Sequence, residues 1–248
     1  MKIYLASGNK NKKREMAQIL SNHEIVTPAD EGIDFNPVED GKTFYENSII
    51  KAKALYDIVH SPVIADDSGI CVDALEGIPG IYSARYAGPE YPQGKPDGSK
   101  TPQEEQNNYL VQQLNSKLAE GNVDSSKFKN GPRSAHYTCA MVLYLGNDRI
   151  YVAQDTMEGT LVESMEKAAG TGGFGYDPLF FLPEFNMTAA QITAEQKNSI
   201  SHRGKATKAL INIINGLEEL KKLKKKTLKF LTGSSENCNR NVMAVWIS

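Results

Sequence analysis

Two adjacent aspartates follow a short apolar run in VIADDSG, residues 63–69. The apolar residues predict a buried strand that ends just before Asp66 and Asp67. In an exposed turn this pair needs no partner, because Asp, Ser and Gly are common turn residues. In a cleft its natural partner is Mg²⁺, since this ion prefers oxygen ligands and bridges to substrate phosphates. Three more carboxylates near the preceding predicted helix are available to the same ion: Glu39, Asp40 and Glu46.

A second group of residues suits an oxyanion. In ASGNKNKKREM, residues 6–16, a predicted strand ends in Ser7-Gly8-Asn9 and a helix opens with lysines at 10, 12 and 13. Backbone N–H groups of a tight turn, a helix N-terminus and a lysine together favour phosphate. An ordinary strand–turn–helix with surface lysines is the alternative. The P-loop pattern GxxxxGK[ST] is absent from the sequence.

A glycine-rich loop with two aromatic residues lies at AGTGGFGYDPLFF, residues 169–181. Its glycines permit close approach of the backbone to a ligand. Phe174 and Tyr176 offer ring faces on which a planar group could stack, and Asp177 closes the turn. A flexible connecting loop is the alternative.

A third cationic segment, QKNSISHRGKA at residues 196–206, comes just before a strongly amphipathic stretch. Lys197, His202 and Arg203 can bind anionic or carbonyl oxygens at the start of that helix. A Ser–His–Asp triad is not favoured, because the G-x-S-x-G elbow is missing and Ser201 is adjacent to His202. A surface helix cap is the simpler interpretation.

The elements that must position these residues follow from periodicity and from turn residues. Thr43 and Glu46 have capping-box spacing, which predicts a helix from there to about Val59. We expect strands at 3–6, 63–65 and 135–145, with a hairpin turn at Asn147-Asp148, helices from Lys12, from Thr43, over 103–118 and over 203–223, and polar loops at 89–103 and 121–134. This order predicts a mixed α/β fold of two lobes around one long sheet.

Composition sets the outer limits. The 248 residues are 40% hydrophobic with a net charge of −2, which gives no general attraction to nucleic acid or membrane. Cys71 and Cys139 lie in apolar contexts and, with Cys238, show no metal-ligand spacing, so a reducing cytosolic location is expected. The apolar run at the N-terminus is too short for a secretion signal. Six lysines between Lys221 and Lys229 are typical of a solvated helix end rather than of a nucleic-acid patch.

Each of these segments alone has an ordinary structural explanation. Together they supply a cationic phosphate cradle, an acidic metal side and an aromatic slot. That combination predicts a binding site for a nucleoside triphosphate with Mg²⁺.

The motifs resemble those of the inosine triphosphate pyrophosphatase family, the Ham1/RdgB-like enzymes. The matching blocks are SGNKNKxxE, ENSIIKA, ADDSGICVDALEGIPGIYSARYAG, GTGGFGYDPLFF and SHRGKA, in the family's order over about residues 2–220. The resemblance implies Mg²⁺-dependent hydrolysis of deaminated purine nucleotides (ITP, dITP, XTP) to the monophosphate and pyrophosphate, which cleanses the nucleotide pool. It also implies an elongated two-lobed α/β fold with a central cleft around a long mixed sheet, and a cytoplasmic homodimer.

By this resemblance, Asp67 is the expected proton acceptor and, with Glu39, a Mg²⁺ ligand, Glu46 being the fallback for Glu39. Lys12 is the expected direct phosphate contact. The segment from Phe174 to Asp177 resembles the family's base-binding segment. The full set of expected substrate contacts is Ser7, Gly8, Asn9, Lys10, Asn11, Lys12, Ser68, Phe174, Gly175, Tyr176, Asp177, Lys197, His202 and Arg203.

We expect residues 1–225 to form one domain, followed by a tail at 226–248 that matches none of the quoted motifs and is either disordered or a peripheral appendage. Two other functions are compatible with the motifs. One is a pyrophosphatase of broader nucleotide specificity, and the other is a nucleotide-binding module without catalysis. The chemical role of PGIYSARYAG, residues 79–88, does not follow from its residue types.

Overall fold

The computed structural model of the chain describes residues 1–173 and 175–233, without the side chains of residues 10, 11, 15 and 228–233. Within that part the strands are β1 (Lys2–Leu5), β2 (Glu24–Val26), β3 (Val63–Val72), β4 (Ser134–Tyr144), β5 (Ile150–Leu161), β6 (Phe180–Leu182) and β7 (Met187–Thr188). The helices are α1 (Lys10–Ile19), α2 (Phe44–Val59), α3 (Gln103–Ala119), α4 (Ala194–Ile200) and α5 (His202–Gly233).

The strands form one mixed sheet in the order β2-β1-β3-β4-β5-β6-β7. β1 lies parallel to both β2 and β3, and every later pairing is antiparallel. β3, β4 and β5 are the long central strands, and β4 and β5 are joined by the hairpin predicted at Asn147-Asp148. Both turn residues have positive φ, 49° and 55°, as a two-residue hairpin turn requires. The predicted mixed α/β architecture is therefore confirmed.

β3 does not end before the two aspartates. It continues to Val72, with Asp66 opposite Met141 and Asp67 opposite Ala140 in β4. The predicted end of the strand before Asp66 was wrong, and the turn, which was one of the two alternatives, is excluded. Turn-forming residue types are tolerated in this strand because both carboxylates find cationic partners and the backbone stays paired with β4.

Gly69, also a typical turn residue, lies within β3 and allows another segment of the chain to pack closely against the strand. A Cβ at this position would lie 2.3 Å from the Gly80 carbonyl oxygen and 2.4 Å from Ser83 Oγ. Real Cβ atoms do not approach other atoms so closely, so only glycine lets the segment after β3 fold back onto the strand.

α2 begins as predicted, with Thr43 Oγ1 accepting a hydrogen bond from the Glu46 N–H at 3.1 Å. The reciprocal half of the capping box is absent, because the Glu46 carboxylate accepts from the Lys42 N–H instead. Ala52 and Leu55 of α2 are fully buried in a core cluster that also contains Ala65. This packing places α2 on the sheet face to which the odd-numbered residues of β3 point.

A larger core cluster surrounds the other end of the central strands. It includes Ile70, Leu110, Tyr137 and Phe180 and therefore joins α3 to β3, β4 and β6. Cys71 and Cys139 are buried free thiols, and burial raises the pKa of Cys71 to about 11. Their predicted reduced state agrees with this, while Cys238 lies outside the described residues.

The chain separates into two compact units, Met1–Leu210 and Ile211–Ser248. The first unit contains the sheet and every predicted site residue. In the second, α5 extends ten residues beyond the predicted end at 223, because solvated lysines are good helix formers and no stop signal precedes Gly233. The part of the predicted tail after residue 233 lies outside the described residues. None of the described helices is long and apolar enough to cross a membrane.

Candidate active site

Asp66 lies at the centre of one group of charges. Its carboxylate is only 2% exposed, and Oδ2 lies 2.8 Å from Lys12 Nζ and 3.4 Å from Arg203 Nε. Burial alone would raise the pKa of Asp66, but the charges of Lys12 and Arg203 hold it well below its usual range. Asp66 therefore remains an anion that fixes two cations from the first turns of α1 and α5.

Ser68 belongs to the same group. Its side chain points to the same face of β3 as that of Asp66, because alternate strand residues share a face. Arg203 Nη2 donates a hydrogen bond to Ser68 Oγ at 3.1 Å. The structure thus brings together three residues predicted from separate motifs: Lys12, Ser68 and Arg203.

Asp67 points to the opposite face of β3, toward α2. Asn47 Nδ2 donates to its Oδ2 at 3.1 Å, and Lys51 Nζ lies 3.4 Å from its Oδ1. Lys51 Nζ also lies 2.8 Å from Glu39 Oε2. One ammonium group therefore contacts both carboxylates that were predicted to hold the metal.

The environment of Asp67 makes it a stronger base than an ordinary aspartate. Burial, followed by the nearby negative charge of Glu39, raises the pKa of Asp67 above its usual value. Lys51 and Asn47 oppose this effect but do not cancel it. The neighbouring aspartates thus differ in pKa direction because they face different partners.

Sequence reasoning missed Asn47 and Lys51 as parts of the site. They lie four residues apart on α2 and so share one face of that helix. Burial would lower the pKa of Lys51, but Asp67 and Glu39 raise it, so its ammonium group stays charged. The available signal was that both residues lie in the quoted ENSIIKA block, on the buried face of α2, although their partners could not be read from the sequence.

Among the described residues, the expected ligands Glu39 and Asp67 fit a Mg²⁺ ion that is bound mainly through substrate phosphates and water. The described part of the chain contains no group of three or more His, Cys, Asp or Glu side chains that could hold a metal ion. Glu39 and Asp67 can supply two carboxylates, which is the usual protein share for Mg²⁺ bound mainly through phosphates and water. Glu46 is engaged with the Lys42 backbone, so the geometry favours Glu39 over the fallback.

Hydrogen bonds within the predicted phosphate loop fix its conformation. The Asn9 N–H donates to Ser7 Oγ at 3.1 Å, and the Lys12 N–H donates to Asn9 Oδ1 at 3.3 Å. A Cβ added at Gly8 would meet nothing within 4 Å, so there is free space beside the backbone at this residue. The side chains of Lys10 and Asn11 lie outside the description, and their roles stay predictions.

The residues predicted to meet the base lie around a buried histidine. His202 is 8% exposed, and burial, with the charges of Arg203 and Lys197, puts its pKa well below the usual value. The imidazole is therefore neutral at physiological pH. Lys197 and Asp177 form an ion pair with each other.

Tyr176 does not offer the open ring face that was predicted. It is 4% exposed, and its hydroxyl group donates to the Ser83 carbonyl oxygen at 2.9 Å. This part of the aromatic-slot prediction was wrong, because the ring completes the core. Gly175 stays partly exposed, its carbonyl oxygen accepting from Asn107 Nδ2 at 3.4 Å, and Phe174 lies outside the described residues.

The segment PGIYSARYAG, whose chemistry the sequence left open, supports β3. Ser83 Oγ accepts from the Ile70 N–H at 2.9 Å and donates to the Gly80 carbonyl oxygen at 2.6 Å. Arg85 Nε donates to the Gln93 carbonyl oxygen and so holds the following loop. These contacts give the segment a role in holding the central strand in place.

Fold and site together define an α/β protein with cations from two helix starts on one face of a strand and paired carboxylates on the other. Residues 3–213 match the model of the Ham1 family. The chain belongs to the Ham1 family.

Relatives and solved structures agree with this assignment. A Treponema denticola protein named dITP/XTP pyrophosphatase is 50% identical over 216 residues, covering 87% of this chain and all of the relative. A Treponema pallidum protein of the same name is 40% identical over 94% of this chain and 78% of its own length. The Staphylococcus aureus Ham1 protein has a TM-score of 0.71 at 33% identity, over 87% of this chain and 99% of that structure.

Proposed function

We propose that the protein is a Mg²⁺-dependent nucleoside triphosphate pyrophosphatase that hydrolyses deaminated purine nucleotides such as ITP, dITP and XTP to the monophosphate and pyrophosphate. Family membership and the names of its relatives support this activity. The observation that carries the proposal is that Glu39 and Asp67 both contact the ammonium group of Lys51. Asp67 lies on β3, and the opposite face of that strand holds Lys12 and Arg203 through Asp66.

Glu39 and Asp67 would hold the metal. When bound, Mg²⁺ would neutralise the negative charge that develops on the phosphate oxygens as pyrophosphate leaves. Lys51 balances one of the two negative charges, which reduces the repulsion between Glu39 and Asp67.

Asp67 would accept the proton of the attacking water. Burial raises the pKa of Asp67 above its usual value, which favours proton acceptance. A bound Mg²⁺ would act in the opposite direction, because a cation favours the charged carboxylate. Asn47 holds Oδ2 of Asp67 at 3.1 Å, and the longer 3.4 Å contact from Lys51 to Oδ1 is the one that an attacking water would replace. The water would attack the α-phosphorus and displace pyrophosphate.

Lys12 and Arg203 would bind anionic or carbonyl oxygens of the nucleotide. Asp66 fixes both cations before substrate arrives, which lowers the entropy cost of ordering their long side chains. Charge-assisted hydrogen bonds from such prepositioned groups are stronger than neutral ones. Asp66 therefore has a positioning function, distinct from the proton transfer assigned to Asp67.

Base selectivity would depend on the 6-oxo group, which adenine lacks. His202 Nδ1 is buried and has no hydrogen-bond partner among the described residues. A site built to hydrogen-bond a 6-oxo group rejects a 6-amino group, because its own polar atoms then stay unpaired. Guanine shares the 6-oxo group and would have to be refused at its 2-amino group.

The test is a pyrophosphate-release assay with ITP, XTP, GTP and ATP, each with and without Mg²⁺. We expect kcat/KM for ITP and XTP to exceed that for ATP by about 10²-fold or more, because unpaired buried polar groups disfavour the wrong base strongly. Comparable values for all four nucleotides would point to the broader-specificity enzyme. Nucleotide binding without pyrophosphate release would point to the non-catalytic module.

We further propose that the enzyme acts as a cytoplasmic homodimer in clearing miscoding nucleotides. The free buried thiols support a reducing compartment. Light scattering coupled to gel filtration gives the assembly directly, and a mass near the 27.3 kDa of one chain would exclude the dimer.

A further inference from the structure

The ring of Tyr137 lies against the imidazole of His202. The two rings are nearly parallel, with centroids 4.9 Å apart and planes 9° apart. Each side chain is only 8% exposed. Stacking at this distance restricts rotation of the imidazole, which would otherwise turn more freely about its χ2 angle.

Tyr137 is itself held firmly. It lies on β4, where its backbone is paired with Ile70 in β3 and with Met157 in β5. The ring of Phe180 also packs against Tyr137, with ring centroids 4.8 Å apart and planes inclined at 59°. A side chain on a central strand with aromatic neighbours gives the imidazole a rigid support.

The hydroxyl group of Tyr137 is buried without a hydrogen-bond partner among the described residues, close enough to Asp177 for the charge of that residue to act on it. Burial, and next the negative charge of Asp177, raise the pKa of Tyr137 well above its usual value. Asp177 is in turn paired with Lys197. One buried tyrosine therefore adjoins both His202 and the Asp177–Lys197 pair, although sequence motifs gave no reason to single it out.

We propose that Tyr137 is a positioning residue for base recognition, whose ring sets the plane of the His202 imidazole. The proposal rests on the proposed function, because that function assigns His202 to the base. Tyr137 acts through His202 and does not touch substrate. The ring carries this role, and the hydroxyl group contributes only to the Asp177 side.

The test compares three single variants. Tyr137→Leu removes the ring, Tyr137→Phe keeps the ring and removes the hydroxyl group, and Tyr144→Leu is the matched control. Tyr144 lies on the same strand, is 8% exposed and packs on the ring of Tyr56 at 4.9 Å, but belongs to the other core cluster. Tm, kcat and KM are measured for ITP and for ATP in all three.

We expect Tyr137→Leu to raise KM for ITP about tenfold, equivalent to about 1.4 kcal/mol, and to reduce the preference for ITP over ATP. The effect should be mainly on KM, because the contacts to the base are equally strong in the ground state and in the transition state. Tyr137→Phe should restore KM to within about twofold of the native value, since the stacked ring remains. Tyr144→Leu should lower Tm comparably and leave KM unchanged.

An unchanged KM and unchanged preference in Tyr137→Leu would overturn the proposal, as would an equal rise of KM in the Tyr144→Leu control. If Tyr137→Leu does not fold, Tyr137→Met gives the same comparison, because methionine fills the volume without stacking.

A second measurement does not depend on activity. In the NMR spectrum of the native protein, the ring protons of His202, assigned with His202→Gln, should be shifted upfield by the stacked tyrosine. This shift should persist in Tyr137→Phe and disappear in Tyr137→Leu. Its absence from the native protein would refute the stacking itself, whereas lack of ITP and XTP hydrolysis with the shift present would refute only the proposed function.

Discussion

Asp66 and Asp67 are chemically identical neighbours with opposite properties. The pKa of Asp66 is lowered by Lys12 and Arg203, whereas burial raises that of Asp67. The difference arises from strand geometry, because successive side chains point to opposite faces. A residue type alone therefore does not define a role in this site.

The two aspartates should respond oppositely to removal of charge at pH 7. Asp66→Asn leaves Lys12 and Arg203 without their counterion and should lower the free energy of unfolding by about 3 kcal/mol. Asp67→Asn removes a carboxylate that is costly to ionise in the folded state and should leave Tm unchanged or raise it. Asp67→Asn should nevertheless reduce kcat by about 10²-fold or more, since it removes the general base.

The pH dependence of Tm distinguishes the two cases. The stabilising contribution of Asp66 is present above its unfolded pKa, about 3.9, and is lost as pH falls below that value toward the folded pKa. The folded pKa of Asp67 lies above its unfolded value, so its cost is present at neutral pH and disappears as pH falls through the raised pKa. Any advantage in Tm of Asp67→Asn at pH 7 should therefore shrink on acidification, and an advantage that grows instead would contradict the assignment.

At the scale of elements, β3 and the segment that folds back on it form one packed unit. Gly69 permits that contact, because a Cβ there would meet Gly80 and Ser83 at 2.3–2.4 Å. The side chain of Ser83 then binds the backbone of β3 at Ile70. The position of the site strand thus depends on a residue that has no side chain.

Gly69→Ala should lower the free energy of unfolding by about 1–3 kcal/mol or more, the usual cost of overpacking a tight contact. The matched control is Gly216→Ala in α5, where a Cβ meets nothing within 4 Å and helix propensity should add about 1 kcal/mol. Urea titration at pH 7 measures both. Equal midpoints for Gly69→Ala and the native protein would show that the backbone relaxes without cost.

Much of the element order could be predicted from local signals. The cap at Thr43, the hairpin at Asn147-Asp148 and the long β4 strand all follow from residue types within a few positions. The continuation of β3 through Asp66 could not be predicted in this way, because it depends on cations contributed by α1 and α5. Local composition indicated a turn, and long-range pairing of charges overrode it.

The sequence predicted the site residues that stand in motifs, but not the residues that connect or support them. Lys12, Asp67 and Arg203 stand in recognisable motifs, and Lys12 and Arg203 both meet Asp66 in the structure. Lys51 was missed because its two partners, Glu39 and Asp67, are separated from it along the chain. Tyr137 was missed because a buried aromatic residue in a strand has the same sequence signature as any core residue.

At the scale of the whole molecule, the family match ends at residue 213, close to the boundary of the first compact unit at Leu210. The exposed lysines of α5 follow that boundary. The Treponema denticola relative is aligned over its whole length within 216 residues of this chain. The match to the family model therefore ends before the lysine-rich part of α5, although the Treponema pallidum relative aligns over 94% of this chain.

Deletion of residues 221–248 should leave kcat/KM for ITP within about twofold of the full chain, because each predicted site residue belongs to the first unit and the family match ends at residue 213. The same assay on both chains at equal Mg²⁺ measures this. A loss of more than about tenfold would mean that the extension contributes to the site or to its assembly.

The alternation of Asp66 and Asp67 makes the length of β3 as important as its residues. One residue inserted or deleted between Ala65 and the aspartates would exchange their faces, since a one-residue slip turns every side chain over. Asp67 would then meet the cations of α1 and α5, and the carboxylate facing Lys51 would come from the wrong position. A substitution in the strand acts at one position, as at Gly69, whereas a change in the number of residues before the aspartates changes both acid–base roles at once.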